Sequence, residues 1–424
     1  MSKGIVLAAA LWVGTAAVVA AQLRHPTLLR NHPAIKYESS TAADPIAELN
    51  RKLARGEVTL TADPGPSGYL ASVLKALNVP VESQTLVFSK TSFQAPRINP
   101  KNPRALYFND TVSVGFVRGG DVLEFIGQDP QLGSVFYTLS QAQTGTPQFE
   151  RNDACVSCHA SEATHYVPGP FLGSVFPGPD GTTMYGPAYT TDHRTPFDIR
   201  YGGWYVTGTH RANRHMGNAI AYDSTDLAAM VTPKTVHVTD LAGRFDMTGY
   251  LSPHSDLVAL IVLEHQAKML NLFTRIGWEA RIGAKESGRS LDEAAAELVD
   301  YLLYVDEAPL PGPIAGTSTF ARFFAEQGPR DSLGRSLRDF QLQDRMAKYP
   351  CSYLIYSKPF DAMPAEAKAA VYARMWQILS GQETDERYNR LTAADRQAVV
   401  EILRETKPDL PDYFTTDARA ADTP

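Results

Sequence analysis

The pattern of apolar residues changes character twice along this chain, and that change limits the folds open to it. Between about 84 and 140 the sequence consists of short runs of Val, Phe, Tyr and Thr, cut by Asn109-Asp110, Gly119-Gly120-Asp121 and Asp129-Pro130. Runs of this kind between turn residues read as antiparallel strands. Thr111 to Val117 and Val122 to Ile126, on either side of Gly119-Gly120, form the clearest predicted hairpin. From Asp256 onward the period lengthens. Leu257, Ile261, His265, Leu272 and Phe273 fall near one stripe of a long helix ending about Ala280. Further helices are expected at 291–304, 364–380 and 392–406, with Pro364 at a helix start and Thr392 as a cap. Upstream, a helix is expected over 44–55 and another opening at Ser67.

The expected fold class is therefore α+β. A mixed helix and antiparallel-strand part spans 22–140, a loop-rich segment 141–250, and a mainly helical part 251–424. At 424 residues the chain exceeds the roughly 100–150 of a common single domain, so more than one core, or one elaborated core, is expected. Residues 1–21 read as a signal peptide: Lys3, an apolar stretch from Ile5 to Ala21, and small residues before Gln22. Export to the periplasm follows, with a membrane tether only if that segment is not cleaved. No later uninterrupted apolar run is long enough to cross a bilayer. The formal net charge of −6 lacks the basic footprint that phosphate backbones require, so no nucleic-acid partner is expected.

The segment from 141 to 220 holds two of the three cysteines and five of the ten histidines. Cys155-Val156-Ser157-Cys158-His159 is a Cys-x-x-Cys-His sequence, the attachment signature of c-type haem. One turn of helix would present both sulfurs to the vinyl positions, and His159 could then come under the macrocycle as the proximal iron ligand. A thioredoxin-like dithiol and half of a zinc site compete with this reading. The dithiol belongs in a βαβ setting that the Gly- and Pro-rich surroundings do not offer, and a zinc site lacks a second Cys pair. A single motif predicts one covalent haem c and excludes multihaem chains. Cys351, in an apolar stretch, reads as a buried small hydrophobe.

The group opposite the proximal ligand decides between carrying electrons and activating a ligand. Met216, in Arg214-His215-Met216-Gly217-Asn218, and His265, on the helical stripe, are the main candidates. His165, His193, His210 and His215 stand behind them. His193 and Arg194, in Thr191-Asp192-His193-Arg194-Thr195-Pro196-Phe197, are candidate pocket groups. Arg194, Arg200, Trp204 and Tyr205 could hydrogen-bond haem propionates.

Over most of its mature length the chain resembles a group of large exported single-haem cytochrome c proteins of environmental bacteria. The resemblance rests on Arg151 to His159, on Thr191 to Phe197 with Gly202 to Gly208, on Arg214 to Asn218, and on Pro350 to Tyr356. That group is defined by its haem motif and not by an established reaction, so the resemblance implies haem binding and electron transfer at Cys155, Cys158 and His159. The function expected is a periplasmic c-type cytochrome that cycles one electron with a redox partner protein. The alternative is a haem enzyme, peroxidase-like or another oxidoreductase, or a ligand sensor with an open site.

Overall fold

The computed structural model describes residues 30–142, 145–186 and 188–414. The expected signal peptide at 1–21 lies outside these residues. The fold is α+β, with an antiparallel sheet in the N-terminal half and helices in the C-terminal half.

Five strands of the sheet follow one another in sequence: β1 (Thr85–Val87), β2 (Arg104–Phe108), β3 (Val112–Val117), β4 (Val122–Asp129) and β5 (Gly133–Ser140). A short β6 (Glu150–Arg151) adds to the β5 edge. A distant β9 (Trp204–Tyr205) adds to β1, pairing Leu86 with Tyr205. Adjacent strands are antiparallel throughout, and the hairpin predicted around Gly119-Gly120 is β3 with β4, in the register Val112↔Gly127. A separate ribbon pairs β7 (Leu172–Ser174) with β8 (Tyr189–Thr191).

Side chains alternate across the sheet and feed two cores. Ala105, Tyr107, Val114, Phe116 and Leu123 join one core with α1 (Pro45–Ala54) and α2 (Leu70–Ala76), through Ile46, Leu49, Leu70 and Val73. Phe108 and Val87 face the other core, built around the long helix. Asp44 caps α1, accepting from the backbone of Ile46 and Ala47. Ser67 does not cap α2. That helix starts later, at Leu70, and its first turn has no side-chain cap.

The long helix α4 runs Leu257–Ile282, following a one-turn α3 (Val156–His159). Asp256 caps α4 through the backbone of Val258 and Ala259, and Gly283, at φ 85°, ends it. The sequence stripe implies one buried face, but from Leu257 to Glu279 every residue except Lys268 is buried. The sheet covers one side, while α5 (Leu291–Leu302) and α7 (Ala365–Leu379) cover the other. By length and composition α4 could cross a membrane, yet 94% of its most apolar stretch is buried inside the protein. It is the core helix. A short α6 (Phe320–Glu326), not apparent in the sequence, and α8 (Ala393–Thr406), capped by Thr392, complete the helical half.

Candidate functional site

Cys155, Cys158 and His159 lie on one turn. Asn152 accepts a hydrogen bond from the backbone of Ala154 to start a 3₁₀ turn over Asp153–Cys155, and α3 follows directly. Both cysteines are free thiols, Cys158 exposed and Cys155 half-buried. Burial pushes the Cys155 thiol above its ordinary range, with the nearby Glu124 carboxylate adding to the effect.

His159 is held from two directions. Its Nδ1 lies 2.9 Å from the carbonyl oxygen of Gly169, and its own carbonyl accepts from the Gly169 amide at 2.9 Å. A carbonyl can only accept, so Nδ1 carries the proton and the lone pair of the neutral ring sits on Nε2. The imidazole is flanked by Phe136 of β5 at 5.0 Å and Phe171 at 5.1 Å. Burial lowers its affinity for a second proton. The segment that supplies the Gly169 carbonyl is pinned in turn by α4, where Asn271 Nδ2 donates to the Pro170 carbonyl at 2.8 Å. Gly169 packs so closely there that a Cβ would stand 1.8 Å from Asn271 Oδ1. Sequence reasoning misses this clamp. Its visible signal is Pro168-Gly169-Pro170 shortly after the motif, a stiff segment whose prolines have no N–H to donate.

The other candidate ligands lie in different surroundings. Met216 is buried with Ala219, Ala221 and Met230, its sulfur 3.8 Å from Ser174 Oγ. His265 is fully buried, with Nδ1 at 2.8 Å from His193 Nδ1 and Nε2 at 2.7 Å from Ser352 Oγ, so both ring nitrogens have protein partners. That leaves neither free for iron. The same holds for His210 and His215. Each Nε2 donates to the Val236 carbonyl, and the Nδ1 atoms accept from the backbone of Ala212 and Gly217. Burial holds His215 near 4 and His265 near 3, well below the ordinary imidazole value. His193 stacks on Tyr301 at 3.9 Å, and its Nε2 is buried without a partner.

Three of the four groups considered for haem propionates are committed elsewhere. Arg200 is 1% exposed and spends its guanidinium on the Thr195 and His193 carbonyls and on buried Glu264 at 3.1 Å. Trp204 Nε1 donates to the Gly173 carbonyl and Tyr205 OH to the Pro100 carbonyl. Arg194 remains available, half-buried, at 3.2 Å from Asp192.

Beside the motif lies a cavity of about 610 Å³, lined in part by Tyr166, Phe171, Asp192 and Lys268. Phe171 thus borders both the cavity and the His159 ring. Among the described residues no cluster of three or more His, Cys, Asp or Glu is arranged to hold a bare metal ion. Comparisons with protein-family models, with curated proteins and with solved structures find no match.

Proposed function

We propose that this chain is an exported c-type cytochrome that holds one haem through Cys155, Cys158 and His159 and passes single electrons to a redox partner protein. The observation that carries the proposal is the state of His159: its Nδ1 proton is tied to the Gly169 carbonyl, which leaves Nε2 as a free, oriented ligand atom.

The donor set fits the group. Two free thiols on one helical turn suit two thioether bonds, and the histidine that follows them immediately is neutral, as a ligand to iron must be. A dithiol role would leave that orientation of His159 without a purpose; a zinc site would use it too, but needs a fourth ligand, and among the described residues no cluster of His, Cys, Asp and Glu is arranged to supply one. When bound, the haem supplies one-electron Fe(III)/Fe(II) cycling. The protein's own part is to fix the ligand and set the surroundings. Gly169 orients the imidazole and raises its basicity. Phe136 and Phe171 keep water from its flanks. Arg104 and Glu124, an ion pair at 2.5 Å, place balanced charge on the sheet face that carries Phe136.

The test is the visible spectrum of the dithionite-reduced protein, purified from a host that matures cytochromes, before and after carbon monoxide. A c-type spectrum unchanged by the gas is the expected result. A colourless protein overturns the proposal, and a spectrum that shifts with the gas replaces the electron carrier by a haem enzyme or sensor.

A further inference from the structure

Lys268 is the one position between Leu257 and Glu279 where the buried helix α4 opens, and it opens onto the 610 Å³ cavity. There its ammonium lies 2.8 Å from Asp192 Oδ2, the same oxygen that Arg194 Nη2 approaches at 3.2 Å. Lys268 and Asp192 line the cavity and Arg194 joins them beside it, so two cations share one carboxylate and this corner carries one positive charge in excess. Both are held in place by the face of Tyr301, Arg194 at 5.3 Å and Lys268 at 5.6 Å from its ring centre. The other lining charges have partners: Arg275 pairs with Glu279, outside the lining, at 2.7 Å, and Glu297 pairs with Arg289, also outside it, at 2.7 Å and with His165 at 3.7 Å. Glu162, the remaining lining carboxylate, is exposed to solvent.

An excess cation at the edge of a partly apolar cavity favours an anion with an apolar body. A carboxylate has the shape for it, since one oxygen can meet the guanidinium and the other the ammonium. Lys268 and Arg194 are partly exposed and keep donors beyond those that reach Asp192, so a ligand carboxylate can join the pair without displacing that buried side chain.

We propose that this cavity binds an organic carboxylate through Lys268 and Arg194. The carboxylate has two sources: a propionate of a haem held at the neighbouring motif, or a free organic acid. The first source rests on the haem attachment proposed above, and the second does not.

The experiment is calorimetric titration with acetate, succinate and benzoate of the full-length chain from a cytochrome-maturing host, and of its C155A/C158A variant, whose cavity lining is unaltered. Near-ultraviolet circular dichroism confirms that each variant is folded. If the ligand is a free acid, both chains bind at least one of the three at about millimolar concentration or below. K268M then weakens that binding tenfold or more, and K268R restores most of it. If the ligand is a haem propionate, only the haem-free variant binds the acids. K268M in the haem-bearing chain then lowers the midpoint potential, and a tenfold shift of the redox equilibrium corresponds to 59 mV. The proposal is overturned if neither chain binds any of the acids and K268M leaves the potential unmoved. A wild-type chain without haem would defeat the cytochrome reading, while titration of that colourless chain would still decide this one.

Discussion

Replacing Gly169 by Ala tests the clamp behind His159, because the cost can be worked from two distances. A Cβ there would meet Asn271 Oδ1 at 1.8 Å, where ordinary contact begins at 3.4 Å. Asn271 is 1% exposed and tied to the Pro170 carbonyl, so it can make room only by letting go of that carbonyl and moving towards the cavity it lines. Accommodating the methyl breaks its 2.8 Å hydrogen bond to the Pro170 carbonyl and leaves buried polar groups unsatisfied. Overpacking costs about 1–3 kcal/mol, and an unsatisfied buried group about 1–3 kcal/mol more. G169A should therefore lose about 2–6 kcal/mol. The sharper expectation concerns Asn271. In the wild-type background N271A loses one hydrogen bond and some packing, about 1–2 kcal/mol. In the G169A background the same change removes the obstruction and should restore stability. The sign of the N271A effect thus reverses, which urea unfolding of the four proteins in a double-mutant cycle measures directly. An N271A cost that is equal in both backgrounds would refute the account of the clamp.

Other expectations follow from the same physics. R200M leaves Glu264, fully buried, without its charged partner and should cost about 3–5 kcal/mol, whereas R200M/E264L should recover most of it; urea midpoints of the two variants decide. Glu307 is pushed up to about 7 by burial, against an ordinary 4.5, so the native state holds its proton more tightly than the unfolded chain. Stability from this group is full below about pH 4.5 and is lost as the pH rises to about 7, at up to about 1.4 kcal/mol per pH unit. The stability difference between wild type and E307Q should therefore fall across that window, and a flat difference would remove Glu307 from the balance. His215 and His265 act the other way. They stay neutral when folded, so stability drops as the pH falls from 6.5 towards 4, and H265Q should flatten that acid limb. At Gly277, inside α4, an added methyl would meet only ordinary contacts at 3.6 and 3.8 Å, so G277A should gain about 0.5–1 kcal/mol in the same assay.

The parts legible in the sequence are those fixed by local rules. The β3–β4 hairpin follows from Gly119-Gly120 between two alternating runs, and the last helix from Thr392 with Asp395 three residues on. Cys155, Cys158 and His159 lie on the single turn that their spacing suggests. What escapes depends on contacts between distant segments. β9 joins the sheet across more than a hundred residues, pairing Trp204 with Val87, and no local pattern marks it. The burial of α4 on all sides depends on helices that follow it, so its stripe understates it. The seven residues of α6 include three phenylalanines, weak helix formers held there by packing. At the site, Gly169 and Phe171 return to His159 only because prolines stiffen the intervening loop and Asn271 pins it. Arg200, Trp204 and Tyr205 have the polar groups of a haem pocket, yet each donates to a backbone carbonyl.

The most direct test of the cytochrome reading is the denatured mass of the full-length chain expressed in a cytochrome-maturing host, set beside C155A, C158A and C155A/C158A. The account predicts a wild-type mass raised by one haem that survives denaturation, and a double variant at the mass of the polypeptide alone. A wild-type chain at its bare polypeptide mass, from a host shown to mature another c-type cytochrome, would contradict it.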